Sequence, residues 1–376
     1  MKQPPKFDGP NAKTVESYIK YMSLEGFKAT TQYTKLWTLK ALIKHLDDKN
    51  IAEIDKSDIE AYILDRRSRL KPKTVHNDIV DLRLFFKWFN PDNDFFEGIK
   101  TKQPKNRLPT TELIRQEDVM QMLTACQSQR DRALIITLWD SGARVGEILN
   151  LSIRDVQLDK YGAVIVVDGK TGMRRLRLIN AVPDLQLWLN QHPNKNNPDA
   201  PLFVTSRLYG TEPKGLDIRT VQNMVKTIAE HARITKNVHP HAFRHGRLTD
   251  LVKMGFRESE LRIIAGWGDN SAMPAVYIHM SGDDVESKML AAHGIIEEDK
   301  VEIKDNLQPI LCPRCKTKNP HDSKYCSTCS MILDAETALN LEQQSAPVDD
   351  ALTALMSSKI DELVTARINE MLKTVK

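Results

Sequence analysis

The chain has 376 residues, of which 41% are hydrophobic and 28% charged, and its formal net charge is +4. This length suits two or three domains of roughly 100–200 residues each, and the composition excludes a disordered chain. No apolar run reaches the ~18 residues of a membrane span, and the opening MKQPPKFDGP lacks the apolar stretch of a secretion signal. A cytoplasmic protein without a membrane partner is expected.

The charge is unevenly distributed. Residues 1–110 carry 21 Lys/Arg against 15 Asp/Glu, residues 111–295 carry 23 against 21, and residues 296–376 carry 10 against 14. A basic front suits a polyanionic partner, because phosphate contacts supply much of nucleic-acid affinity.

Residues 1–100 read as helices. Apolar positions recur with helical period through Val15–Phe27, Tyr33–Leu46, Ile59–Leu70 and Val75–Phe89. Gly26, the Asp47-Asp48-Lys49-Asn50 cluster and Pro72 separate them. Ser57 is placed as an N-cap, with Glu60 completing a capping box. Two readings fit this segment equally: a DNA-gripping module, or a helical bundle with lysines on its solvated side. Residues 98–110, GIKTKQPKNRLPT, combine Gly, two prolines and four basic residues. They set a linker at 101–112.

Residues 113–296 mix helix and strand. Gln116–Cys126, Arg130–Trp139 and Val145–Leu151 are expected as helices, with Ser141-Gly142 as a turn. Ala163–Val167 and Arg174–Ile179 read as strands joined by the turn Asp168-Gly169-Lys170-Thr171-Gly172. Further helices are expected at 217–232, 242–254 and 257–265. Residues 297–306 form an acidic connector, a cysteine module occupies 308–335, and residues 340–350 are polar and expected to be flexible. An amphipathic helix is expected over 349–376, its stripe including Leu352, Met356, Ile360, Leu363, Val364, Ile368, Met371 and Val375. The fold class is therefore mainly α with a small β-hairpin, an α+β arrangement.

Cys312-x-x-Cys315 and Cys326-x-x-Cys329 are separated by ten residues. Two such thiolate pairs make a tetrahedral, structural Zn²⁺ site. A disulfide reading is disfavoured without a secretion signal, and a redox pair would need a βαβ setting. With four ligand places filled, this zinc has no open position for catalysis. A module this short lacks a core of its own, so metal ligation supplies its stability. Cys126 lies on an apolar helix and is expected in the core.

His241-Ala-Phe-Arg244-His245 places two imidazoles and a guanidinium within five residues, and Tyr277 follows 36 residues after His241. Histidine moves protons near neutral pH, arginine grips phosphate oxygens and tyrosine can act as a nucleophile. From these residues alone two readings stand: chemistry on a phosphodiester, or a basic helix end whose histidines fill space. A metal on His241 and His245 ranks below phosphate, because no third ligand is close and Arg244 would repel a cation.

The full set resembles the tyrosine recombinases, the phage-integrase class. Ser141-Gly142-Ala143-Arg144-Val145-Gly146-Glu147-Ile148 resembles their first arginine box, Val167–Gly172 their hairpin lysine, and His241-x-x-Arg244 their His-x-x-Arg box. Ala265-Gly266-Trp267 and Tyr277-Ile278-His279 resemble the terminal His/Trp position and the nucleophile. The cysteine knuckles are similar to those of some archaeal integrases. The resemblance implies a helical core-binding domain, a catalytic domain and a trailing zinc ribbon. It implies that Tyr277 attacks the scissile phosphate, that Arg144 and Arg244 hold its oxygens, and that Lys170 protonates the departing 5′-oxygen. His241 would assist proton movement, Trp267 would donate its indole N–H, and Glu147 would buttress the site. No cofactor is implied for catalysis. The implied partners are double-stranded DNA at attachment-type sites and further copies of the chain, as a tetramer on paired sites, with residues 283–294 docking on a neighbour or, alternatively, within their own chain. The rival functions are a type IB topoisomerase-like enzyme and a catalytically dead zinc-ribbon regulator. Two departures from the family pattern stand out. Tyr277 lies ten residues after Trp267, where nine is commoner, and Met173 replaces a charge that Arg174 or Arg175 could supply.

Overall fold

A computed structural model describes residues 4–101, 112–169, 172–205, 213–278, 289–290, 293–295 and 305–374. Side chains at 275–276, 278, 342–353 and 369–374 are outside that description. Lys170, His279, most of the linker, the connector through residue 304 and most of 283–292 likewise lie outside the described residues. The chain divides into two units, Met1–Arg107 and Leu108–Lys376.

In the first unit, α1 (Asn11–Leu24), α2 (Ala29–His45), α3 (Lys56–Arg69) and α4 (Pro72–Phe89) pack their apolar stripes on one another. The aromatic residues of α4 are core: Phe85 and Phe86 are buried, and Tyr18 meets Phe85 edge to face with centroids 4.9 Å apart. Pro72 opens α4 rather than merely ending α3, because at the first helical position its missing N–H costs nothing. The expected cap of α3 is corrected. Asp55 is the N-cap, accepting from Asp58 N at 3.0 Å while the Asp58 carboxylate accepts from Asp55 N. The Ser57 hydroxyl instead donates to Asp55 at 2.6 Å. A carboxylate two residues earlier outcompetes the serine because it also offsets the positive helix start.

In the second unit, α5 (Gln116–Ala125) packs on α6 (Gln129–Ser141), whose residues Ala133–Ser141 are all buried. Gly142 ends α6 in the left-handed region at φ +57°, and α7 (Val145–Leu149) follows. Strands β1 (Val156–Asp159), β2 (Gly162–Gly169) and β3 (Gly172–Leu178) form an antiparallel sheet in that order, with β2 and β3 in register to the pair Gly169 and Gly172. Helices α8 (Val182–Gln191), α9 (Ile218–His231), α10 (Pro240–Lys253), α11 (Glu258–Ala265) and α12 (Met273–Ile278) complete the body. Then come the two-stranded β4 (Ile310–Leu311) and β5 (Lys318–Asn319) and the long α13 (Ala335–Thr374). β1, α8 and α12 were not expected from the sequence. The backbone of 340–350, expected to be flexible, is helical and belongs to α13. The stripe Leu355, Met356, Ile360, Leu363, Val364 and Ile368 is exposed. Among the described residues no helix is long and apolar enough to cross a membrane.

Candidate active site and metal centre

The last four carbonyls of a helix have no partner within it, and the helix end carries partial negative charge. In α11 three guanidiniums take up this role on successive carbonyls. Arg174 Nε donates to Ile264 O at 3.0 Å, Arg244 Nη2 to Ala265 O at 2.6 Å and Arg144 Nη2 to Gly266 O at 3.3 Å. Gly266, left-handed at φ +57°, turns the chain there; a Cβ at this position would lie 2.7 Å from Arg174 Nη1. The packing therefore requires glycine twice over.

Glu147 balances part of this charge. Its carboxylate accepts from Arg174 at 2.7 and 3.1 Å, from Arg144 Nη1 at 2.8 Å and from Arg144 N at 2.8 Å. Burial pushes the Glu147 carboxyl upward, but the bonds from Arg174, then Arg144, outweigh it and bring it down to about 2. Arg244 is 2% exposed, with Nη1 on Gly142 O at 3.0 Å. Burial, and then the charge of Arg144, lower it to about 10, so it stays protonated at neutral pH. Arg144 is the more open of the pair, its side chain 35% exposed.

Helix α10 carries the histidines. His239 caps it, Nδ1 accepting from Ala242 N at 3.2 Å, and Pro240 follows at the first position. His241 and His245 lie one turn apart with ring centroids at 4.6 Å. Helical spacing alone brings them together. Tyr277 on α12 is 2% exposed and sits between two rings, Trp267 at 5.4 Å and His245 at 5.7 Å. Its hydroxyl is hydrogen-bonded to His245 Nδ1. Trp267 in turn lies 5.7 Å below the Arg244 guanidinium. Burial raises Tyr277 to about 12, partly opposed by Arg244. Burial, then His241 and Arg244, lower His245 to about 4; the same causes, burial and then Arg244, lower His241.

Of the residues singled out in the sequence, Arg144, His241, Arg244, Trp267 and Tyr277 thus share one neighbourhood with Glu147, and Lys170 lies outside the described residues. Arg174 does not present a free charge in place of Met173: it is buried on Glu147, while Arg175 is exposed. Three contributors were not among the assigned site residues. His245 bonds the phenol. Arg174 joins the α11 carbonyls to Glu147. Arg262 holds the loop before Tyr277, donating to Gly268 O at 2.9 Å, Asp269 O at 3.0 Å and Ser271 O at 3.1 Å. For His245 the signal was its spacing from His241; for Arg174 and Arg262 no sequence pattern marks the acceptors, which are backbone carbonyls.

Cys312, Cys315, Cys326 and Cys329 converge, their sulfurs all within 4.8 Å of one another. Cys312 to Cys329 is 3.6 Å and Cys315 to Cys326 is 3.4 Å. Tetrahedral zinc with Zn–S near ~2.3 Å requires sulfurs about 3.8 Å apart, so the donor set fits a metal ion of that kind. The two knuckles repeat one turn: Cys312 N bonds Thr317 O and Cys326 N bonds Met331 O, with Lys316 and Ser330 left-handed after each second cysteine. The module is fastened to the second unit by Arg132, which bonds both Asp184 at 2.7 Å and Asp322 at 2.5 Å. Cys126 is half-buried, its thiol pushed up to about 12 by burial.

Residues 112–283 match the phage integrase family, and residues 15–93 match the phage integrase N-terminal SAM-like domain. The chain is similar to tyrosine recombinase XerC of Oceanobacillus iheyensis, 25% identical over 301 residues that span 74% of this chain and 95% of the relative. It is also similar to tyrosine recombinase XerA of Pyrococcus horikoshii, 24% identical over 254 residues, 68% of this chain and 84% of the relative. In fold it resembles XerH site-specific recombinase bound to a palindromic difH substrate (TM-score 0.56, 19% identity, covering 70% of this chain and 80% of that one). It likewise resembles a lambda integrase dimer bound to a COC′ core site (TM-score 0.58, 15% identity, 72% and 77%).

Proposed function

The chain belongs to the phage integrase family of tyrosine recombinases, and from that premise we propose that it is a site-specific DNA recombinase that cuts and rejoins strands through a 3′-phosphotyrosyl intermediate. One observation carries the reading: Tyr277 is stacked on Trp267, whose ring lies 5.7 Å from the Arg244 guanidinium, while Arg144 donates to the carbonyl next along from the one that binds Arg244. This is a phenol beside two cations, of which Arg144 shares the Glu147 carboxylate with Arg174 and Arg244 is bonded to backbone carbonyls.

In the proposed reaction the Tyr277 oxygen attacks the scissile phosphorus and the 5′-oxygen leaves. Arg144 and Arg244 hold the non-bridging oxygens, where negative charge grows in the transition state. Lys170 delivers the proton to the leaving oxygen, His241 assists proton movement and Trp267 donates its N–H. Glu147 and Arg174 fix the Arg144 side chain and the α11 terminus. The phosphodiester is retained as a phosphotyrosyl ester, so rejoining needs no ATP. Two guanidiniums and a lysine supply the cationic clamp of the reaction. The four cysteines hold a structural zinc, which ties residues 308–335 together. The substrate is duplex DNA, contacted by a helical domain at 1–100 and by a catalytic domain at 113–296, with protomers assembling on paired sites as a tetramer.

The test is covalent trapping on a nicked duplex whose sequence is first recovered from random duplexes retained by the full chain. Wild type should form a protein–DNA adduct, and Tyr277→Phe should bind equally but form none. A wild-type chain that binds this DNA and yields no adduct overturns the reading in favour of a binding protein.

A further inference from the structure

The Tyr277 hydroxyl is hydrogen-bonded to His245 Nδ1, and the two rings stack with an interplanar angle of 26°. A buried phenol attacks phosphorus well only if its proton leaves as the new bond forms. We propose that His245 is a catalytic residue for the strand-cutting step, accepting the Tyr277 proton at Nδ1. This rests on the recombinase reading above. The Tyr277 O–H bond breaks, its oxygen bonds to phosphorus and its proton passes to Nδ1, while the P–O5′ bond breaks and the leaving oxygen takes a proton from another group. On rejoining, the 5′-hydroxyl attacks and gives its proton back to the group that had protonated it, while the phenolate leaves and takes a proton from His245.

Three features of the site suit this role. The imidazole is kept neutral by burial and by its neighbours His241 and Arg244, so its lone pair is available. A phosphodiester arriving beside Arg244 brings the negative charge that stabilises a transient imidazolium. The ring also lines a cavity of about 150 Å³ with Glu112, Asn237 and His239. A cavity of that size with polar groups on its wall has room for water beside the ring. His241, by contrast, is exposed and meets the His245 ring edge rather than the phenol.

The experiment compares wild type with His245→Asn, whose amide oxygen can accept the phenol's hydrogen bond but cannot carry the proton. Two trapping duplexes are used, one with the natural 5′-bridging oxygen and one with sulfur in its place, which leaves without protonation. With DNA binding unchanged, His245→Asn should slow adduct formation about 100-fold or more on both duplexes. A rate within threefold of wild type overturns the proposal, and so does a loss that the sulfur substrate repairs, since His245 would then serve the leaving group. Absence of any wild-type adduct is a different result and removes the recombinase reading itself. If His245→Asn does not fold, histidine-selective ¹⁵N NMR of the unmodified chain and of Tyr277→Phe decides. The Nδ1 resonance of His245 should shift when the phenol is removed, and an unmoved signal refutes the contact.

Discussion

Replacing Glu147 with glutamine tests the charge arrangement most directly. Glu147 is 5% exposed and its pKa falls from an ordinary 4.5 to about 2 on folding. A fall from 4.5 to about 2 corresponds to roughly 3 kcal/mol of stability. Because the folded value lies below the unfolded one, this contribution is complete above about pH 5 and is lost as pH falls toward 2. At pH 3 the unfolded carboxyl is already protonated while the folded one is still largely ionised, so about 1 kcal/mol remains. Glu147→Gln keeps the shape but leaves Arg174 buried and unpaired, which for a broken buried ion pair costs on the order of 3–5 kcal/mol. Urea unfolding at pH 7 and pH 3 measures this. The gap between wild type and variant should be about 3 kcal/mol or more at pH 7 and narrow by about 2 kcal/mol at pH 3. A gap below 1 kcal/mol at pH 7, or one that does not change with pH, refutes the claim that this carboxylate holds the site together.

Three further outcomes are expected. Arg262→Met removes three carbonyl ties from the loop before Tyr277 and should slow adduct formation about tenfold or more through misplacement of the nucleophile, with DNA binding retained in a mobility-shift assay. Gly246→Ala should destabilise the second unit by about 1–3 kcal/mol in thermal unfolding, because its Cβ would lie 2.3 Å from Ile114 O and 2.8 Å from the Trp139 ring. The chain purified under reducing conditions should carry one zinc, released stoichiometrically on thiol modification, and Cys326→Ser should lose it and open residues 308–335 to protease; a wild-type chain lacking zinc refutes the metal centre.

The helices of the first unit and the paired cysteines were legible because their signals are local. Periodicity places Val15, Ile59 or Leu82 in a core, and two Cys-x-x-Cys pairs need only a turn each. The parts not read depend on distant chain. Pro183 looks like a breaker in Val182–Gln191, yet it stands in the first turn, where it is tolerated. Strand β1 is four residues, Val-Gln-Leu-Asp, and exists through its pairing with β2. Arg174 alternates inward because of the register Val167 to Arg174, which fixes which face of β3 meets Glu147. The union of His245 with Tyr277 spans 32 residues, and no spacing rule encodes it.

The three arginines at the end of α11 explain why such a site should seek an anion. Arg144, Arg174 and Arg244 converge where Glu147 is the carboxylate bonded to the first two, and Arg244 is bonded to the Gly142 and Ala265 carbonyls. Packing like charges in a region of low dielectric is unfavourable, and the α11 terminus relieves only part of it. Arg244 is lowered first by burial and then by the charge of Arg144, and the second of these is the residual repulsion. A phosphodiester oxygen between Arg144 and Arg244 would relieve it, and so would the further charge that develops as phosphorus becomes five-coordinate. Binding strength and catalysis would then draw on the same imbalance. Neutralising it with a second carboxylate would stabilise the folded chain and weaken its hold on the transition state.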